Sequence, residues 1–228
     1  MFKFFEKLTN RNVLYFPGCM TKYVLKDKED NYKKILEKIG IEFIMLKDEE
    51  FCCGSPVINA GYKEDFKKLK EKNLEKFKKY GVGKIITNCP ACYNILKDEY
   101  KLNVKHISQV ILENIDKFKK RFDEEMTYHD SCHLGRYGSI YEEPREILKA
   151  IGINIKEFEN NREKSDCCGA GGGMKNNMPN LSNQIAKDLL NKVKTKKLIT
   201  GCPMCYQHFK ENSKNKDVVV MELGEVFV

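Results

Sequence analysis

The 228-residue sequence predicts an α/β fold of two pseudo-symmetric repeats, each a small, open, mostly parallel sheet flanked by helices. Three observations predict it. The ten cysteines fall into two sets of one form: Cys19, Cys52-Cys53 and Cys89-x-x-Cys92, then Cys132, Cys167-Cys168 and Cys202-x-x-Cys205. The intervals are 32 and 35 residues in the first set and 34 and 33 in the second. The repeat also extends beyond the cysteines. Ile35-Leu-Glu-Lys-Ile-Gly-Ile41 matches Ile147-Leu-Lys-Ala-Ile-Gly-Ile153, and Thr87-Asn-Cys-Pro-Ala-Cys-Tyr93 matches Thr200-Gly-Cys-Pro-Met-Cys-Tyr206, nearly all landmarks being offset by 112 to 115 positions. Finally, short apolar runs alternate with longer stretches of helical spacing, as in a parallel sheet with crossover helices. Two copies joined near residue 123 divide the chain into domains 1–122 and 123–228.

In the first copy, residues 12–16 read as a strand ending at Pro17-Gly18-Cys19. Tyr32, Ile35, Leu36 and Ile39 keep helical spacing up to Gly40, a normal helix stop. Residues 41–46 read as a second strand leading to Cys52-Cys53-Gly54. A charged helix follows, with Tyr62, Phe66, Leu69, Phe77 and Tyr80 near helical spacing and Gly81 at its end. Residues 84–87 form a third strand running into Asn88-Cys89-Pro90, and residues 104–107 a fourth, followed by a helix to about Arg121. The second copy repeats this order, with strands at 126–129, 153–158, 197–200 and 218–221 and helices near 144–151 and 181–193. In open parallel sheets, ligands gather beyond the carboxyl ends of the strands. Every cysteine group follows a strand, so the topology predicts that each set of five thiols converges on one sheet edge.

Lys and Arg number 41 against 33 Asp and Glu, a net charge of +8. The lysines are interleaved with acids on helical stretches such as 62–80, so they read as solvated helix faces and not as a nucleic-acid surface. The excess would suit an acidic partner subunit or an anionic substrate. The start, Met1-Phe-Lys-Phe-Phe-Glu-Lys7, is too charged and short for a signal peptide, and no apolar run approaches the roughly 18 residues of a transmembrane segment. A cytoplasmic protein is expected. In a reducing compartment, clustered thiols bind metal or do redox chemistry more often than they form disulfides, the bland alternative for an even count.

Five thiols per set exceed what a tetrahedral zinc or a cubane iron–sulfur cluster takes. Adjacent cysteines point apart, so they reach different irons of one cluster more readily than one ion. Gly54 and Gly169 allow a tight turn beside the metal. Pro90 and Pro203 suit helix starts, whose free N–H groups donate to thiolate or sulfide.

The pattern Cys-x(31–39)-Cys-Cys-x(33–36)-Cys-x-x-Cys resembles the signature of the cysteine-rich "CCG" domain of the heterodisulfide reductase B/D family. The glycolate oxidase iron–sulfur subunit, lactate-utilisation proteins and thiol-driven fumarate reductase are relatives. Tyr15-Phe-Pro-Gly-Cys19, Tyr128-His-Asp-Ser-Cys-His-Leu-Gly-Arg136, Pro144-Arg-Glu-Ile147 and Cys167-Cys-Gly-Ala-Gly-Gly-Gly173 look most like the cysteine-rich half of the D-type subunit. The resemblance implies an iron–sulfur oxidoreductase with two non-cubane [4Fe-4S] clusters facing one cavity and cleaving a substrate disulfide, one sulfur going to each. Cys19, Cys52, Cys53, Cys89 and Cys92 would hold one, and Cys132, Cys167, Cys168, Cys202 and Cys205 the other. Relatives that carry zinc at one motif make a mixed iron–sulfur/zinc module an alternative; an electron-transfer subunit of a glycolate, lactate or fumarate oxidoreductase is another. The D-type subunit also has a ferredoxin domain ahead of this half. Electrons are therefore expected from a separate ferredoxin-like protein or flavoprotein subunit, and the isolated chain need not turn over.

His129, His133 and Arg136 flank Cys132. Arg136 would hold a substrate carboxylate or phosphate and His133 would protonate a departing thiolate, against a structural role for each. The glycines at 171–173 suit close backbone approach to a cluster and lack the Lys-Ser/Thr of a P-loop. Tyr93 and Tyr206, matched across the repeat, read as core, and His106 and His208 have no partner legible in the sequence.

Overall fold

The computed structural model describes residues 11–213 and 217–228; the charged start at residues 1–7 lies outside the described residues. The first sheet has the order β1 (Asn12–Tyr15), β2 (Val82–Thr87), β3 (Val104–His106). The second has the order β5 (Ile153–Glu157), β4 (Glu124–His129), β6 (Lys197–Thr200), β7 (Val219–Glu222). Every neighbouring pair is parallel, as the alternation of strands and helices predicts. β4, β6 and β7 occupy the places of β1, β2 and β3.

The first copy departs from the sequence reading at residues 41–46. No strand forms there; only Ile44 bridges Leu14, where β5 supplies a full edge strand in the second copy. Ile44 N–H donates to Val13 O at 2.8 Å and Ile44 O accepts from Tyr15 N–H at 3.0 Å. The chain then leaves the edge, because Lys47 takes a left-handed φ of 47° and opens a 3-10 turn, Lys47–Glu49. The helix expected to reach Arg121 also stops early. It runs Ile107–Glu113, with a 3-10 turn at Ile115–Lys117.

The other helices follow their apolar stripes. α1 (Gly18–Tyr23) carries Cys19, and α2 (Lys26–Ile39) buries Tyr32, Ile35, Leu36 and Ile39. α2 closes at Gly40, whose φ of 84° lets its N–H reach the Leu36 and Glu37 carbonyls. α3 is Ser55–Asn59 and α4 is Lys63–Lys79; α5 is Pro90–Asn94 and α6 is Ile107–Glu113. α7 (Glu142–Ala150), α8 (Met174–Asn177), α9 (Pro179–Asn191) and α10 (Pro203–Asn212) complete the second copy.

The two copies share a core. Tyr15, Tyr32, Ile35 and Ile107 from the first copy pack with Met126, Tyr128, Ile147 and Leu223 from the second. Leu134 and Ile140 reach further, into the core beneath the first sheet. Polar bonds also cross the interface. The Tyr32 hydroxyl donates to the buried Glu222 carboxylate, and Lys28 Nζ lies 2.5 Å from Glu225 Oε1. Among the described residues, no helix is long and apolar enough to cross a membrane.

Candidate metal centres

Strands deliver three of the five cysteines in each set. β1 ends three residues before Gly18, and Cys19 lies in the first turn of α1. β2 ends at Thr87, and Cys89 sits at the N-cap of α5 with Pro90 in the first turn. In the second copy, β4 ends at His129 and Cys132 opens a turn of π-helix, His133–Tyr137. β6 ends at Thr200 and Cys202 caps α10, with Pro203 in its first turn. The adjacent pairs come in from loops.

Within each copy the five thiols meet. Cys92 Sγ lies 3.3 Å from Cys53 Sγ, and Cys205 Sγ lies 3.2 Å from Cys168 Sγ. The Cys19 thiol is within hydrogen-bonding reach of Cys52, Cys52 of Cys53, and Cys89 of Cys92. The Cys132 thiol is within hydrogen-bonding reach of Cys167, Cys167 of Cys168, and Cys202 of Cys205. All ten are free thiols in the structure. Cys19 and Cys167 are exposed, while Cys53, Cys92, Cys168, Cys202 and Cys205 are buried.

These contacts split the thiols electrostatically. The Cys19 thiol donates to Cys52 and holds it far below the ordinary thiol value, helped by Cys53 and by the Gly54 N–H at 3.4 Å. Cys132, Cys168 and the Gly169 N–H, also at 3.4 Å, do the same for Cys167. Cys19 and Cys132, the donors, move up because of those same contacts with Cys52 and Cys167. Cys89 is held low by the Cys92 thiol and by the Cys92 and Ala91 amides at the start of α5. In each copy a backbone amide thus points at a cysteine sulfur.

Three glycines make these contacts possible. Gly18 has φ 75°, and a Cβ there would lie 2.9 Å from Cys92 Sγ. Gly54, at φ 90°, would bring a Cβ to 2.7 Å from the Phe66 ring. Gly169, at φ 87°, would bring one to 2.9 Å from the Ser182 carbonyl oxygen. The glycine after each cysteine pair is therefore fixed by both its backbone conformation and its neighbour.

Among the described residues, no three Cys, His, Asp or Glu side chains surround a point where one metal ion would sit. Five soft donors, the space kept by Gly18, and amides aimed at sulfur fit an iron–sulfur group that brings its own sulfide.

The two sites abut. Asn94, at the end of α5, donates to the His133 carbonyl at 2.6 Å and so ties the first Cys-x-x-Cys helix to the Cys132 turn. α1, with Cys19, packs on α10, with Cys205.

The flanking residues sort by partner. His133 Nδ1 is 3.4 Å from Cys132 Sγ, its ring against Tyr137. Burial holds it below the ordinary histidine value. Arg136 is exposed and spends Nη1 on the carbonyls of Ser165 (2.7 Å) and Glu163 (3.3 Å), bracing the approach to Cys167. His129 is buried, with its ring nitrogens near Thr200 Oγ1 and Asp166 O. Tyr93 and Tyr206 are core residues whose hydroxyls take matched bonds from Lys97 (3.0 Å) and Lys210 (3.1 Å).

Several supporting residues escaped the sequence reading. Asn73 donates to Cys52 O at 2.9 Å, and the Tyr100 hydroxyl donates to Cys53 O at 3.1 Å. The signal was present, since Asn73 is a polar residue on the buried Phe66–Phe77 stripe of α4. His106 caps α6 and reaches Asn88 O. His208 contacts Ser182, whose hydroxyl donates to Gly169 O at 2.8 Å. Arg145 is fully buried and forks onto Asp130 and Glu157, with all four N···O distances between 2.7 and 2.9 Å. A cavity of about 410 Å³ lined by Tyr141, Glu142, Asn161 and Arg162 lies to one side, with no cysteine in its wall.

Comparison with known proteins agrees with this geometry. The chain is 36% identical over 233 residues to an uncharacterized iron–sulfur protein of Methanocaldococcus jannaschii, covering 96% of this chain and 46% of that one. It is 33% identical to the D-type subunit of the dihydromethanophenazine:CoB–CoM heterodisulfide reductase of Methanosarcina acetivorans, covering 92% and 58%. It is 34% identical to the B-type subunit of the CoM/CoB fumarate reductase of Methanothermobacter marburgensis, covering 93% and 45%. The chain thus spans about half the length of the curated relatives it matches. Residues 13–97 and 126–210 each match the CCG cysteine-rich domain, and the chain belongs to that family, carrying two copies.

Proposed function

We propose that the chain is an iron–sulfur oxidoreductase subunit of the heterodisulfide reductase type, which reduces a small disulfide or oxidises a thiol pair at two non-cubane [4Fe-4S] clusters. One observation carries the reading: each repeat gathers a complete set of five thiols, and the two gatherings abut through Asn94 and His133. Cys19, Cys52, Cys53, Cys89 and Cys92 would hold one cluster. Cys132, Cys167, Cys168, Cys202 and Cys205 would hold the other. Residues 1–122 and 123–228 are read as the two domains that carry them.

When bound, such groups supply one-electron steps. The chain's own residues do the rest. The Gly54 and Gly169 amides stabilise charge on Cys52 and Cys167. His133 holds an imidazole nitrogen against Cys132, where it can keep or pass a proton. Arg136 presents the rest of its exposed guanidinium to an anionic substrate. Disulfide reduction takes up two electrons and two protons and releases two thiols. The electrons come from a ferredoxin-like protein or a flavoprotein subunit, and the work is cytoplasmic.

The similarity to a fumarate reductase subunit favours a second reading, an electron-transfer subunit whose partner flavin does the chemistry. A co-purifying flavoprotein, with no disulfide reduction from artificial donors, would select it. For the first reading, Cys53→Ala and Cys168→Ala should each remove about half of the bound iron and abolish disulfide reduction. Retained turnover in either variant would refute it.

A further inference from the structure

The two copies differ at one buried position beside the Cys-x-x-Cys. In the first copy, the Tyr15 hydroxyl donates to Asn88 Oδ1 at 3.0 Å, and Asn88 Nδ2 donates to Thr21 Oγ1 at 2.9 Å. The chain is buried throughout and links the Cys19 helix to the residue before Cys89. In the second copy, Tyr128 stands four residues before Cys132 as Tyr15 stands before Cys19. The residue before Cys202 is Gly201 in place of asparagine, and Leu134 takes the place of Thr21.

Tyr128 reaches the same location. A Cβ on Gly201 would lie 3.6 Å from its hydroxyl oxygen and 3.4 Å from Leu134. Tyr128 is only 1% exposed, and its hydroxyl has no hydrogen-bond partner among the described residues. The ring is fixed by Arg145, whose Cζ sits 5.2 Å from the ring centroid. Gly201, beside which the hydroxyl lies, immediately precedes Cys202. A buried O–H with no acceptor costs free energy unless something supplies one.

We propose that the Tyr128 hydroxyl is held as a hydrogen-bond donor for the sulfur-rich group bound by Cys202 and Cys205, making the second site the more easily reduced. The proposal rests on the iron–sulfur reading above. Reduction puts charge on sulfur, and a donor aimed at that sulfur stabilises the reduced form. The first site lacks such a donor because Asn88 accepts the Tyr15 proton. In a mediated titration the second site takes one electron from the mediator and no proton; Tyr128 keeps its own.

The test uses the full chain, purified anaerobically, as wild type, Tyr128→Phe and Tyr15→Phe. Iron and sulfide content, spectroscopic midpoint potentials and the melting temperature of the metal-free chain are measured. Tyr128→Phe should load normally and lower one midpoint by a tenfold change in the reduction equilibrium, about 59 mV for one electron. Its metal-free melting temperature should not fall, because the hydroxyl has no bond to lose; that of Tyr15→Phe should. Normal loading with unmoved midpoints overturns this proposal alone. A wild-type chain that binds no iron overturns the iron–sulfur reading, and this proposal with it. If Tyr128→Phe fails to fold, the double variant Gly201→Asn/Leu134→Thr transplants the first copy's acceptor. It should lower the same midpoint, and an unchanged midpoint again overturns the proposal.

Discussion

Replacing Arg145 with methionine should cost more than any other single change outside the cysteines and their glycines. The guanidinium is fully buried and donates to both oxygens of Asp130 and both of Glu157, as well as to the Tyr141 carbonyl. Methionine fills much of the space but donates nothing. Glu157 is partly exposed at 30% and can turn to water, whereas the Asp130 side chain is 3% exposed. Asp130 would keep only the Arg162 N–H, at 2.8 Å, for its charge. Breaking a buried pair from one side costs about 3–5 kcal/mol. At roughly 2–4 °C per kcal/mol for a chain of this size, the melting temperature should drop by roughly 6–20 °C. Thermal unfolding of the reduced, metal-free chain by circular dichroism measures it. Adding Asp130→Asn to Arg145→Met should recover part of the loss, because the stranded charge is gone. Lysine at 145 should fall between, keeping the charge without the fork. A loss under about 1 kcal/mol for Arg145→Met would refute the claim that the buried pair holds this half together.

The remaining predictions concern pH and backbone. Burial pushes the Glu222 carboxyl up to about 7 from its ordinary 4.5. Below pH 4.5 it is protonated in both folded and unfolded chains; between 4.5 and 7 only the folded chain keeps the proton, so stability falls as pH rises. Above pH 7 the deficit is complete, about 3 kcal/mol. Urea midpoints at pH 5 and pH 8 should therefore lie closer together in Glu222→Gln than in the wild type, with Glu50, whose carboxyl burial also pushes up, keeping a slope of the same sign, and an unchanged pH slope would count against this assignment. Gly169→Ala should damage the second site more than Gly54→Ala damages the first. Its Cβ meets a backbone carbonyl, whereas that of Gly54 meets the Phe66 ring, which can turn. Iron content of the two variants checks the order.

What was legible in the sequence was local or repeated. The run at 197–200 forms a strand at those bounds, because apolar residues between lysines and a Thr-Gly turn admit little else. Gly40 stops α2 because only a left-handed residue completes that cap. The meeting of the lone cysteine and the Cys-x-x-Cys in each copy followed from parallel topology, which places the strands' carboxyl ends at one edge, whereas the adjacent pairs arrive on loops. What was not legible depends on the other copy. Residues 41–46 have strand composition but only one bridged residue, and the turn at Lys47 that ends the pairing has no glycine to announce it. Leu134 reads as an ordinary residue of a cysteine motif, yet it packs in the first copy's core. Arg145 has the sequence of an exposed helical arginine; its burial follows from two carboxylates, 15 and 12 residues away, that the fold alone brings together.

Iron, zinc and acid-labile sulfide content of the strictly anaerobically purified chain tests the central claim most directly. Two complete thiol sets predict about eight irons and eight sulfides per chain, and no zinc. Zinc with no acid-labile sulfide would contradict the account at its root.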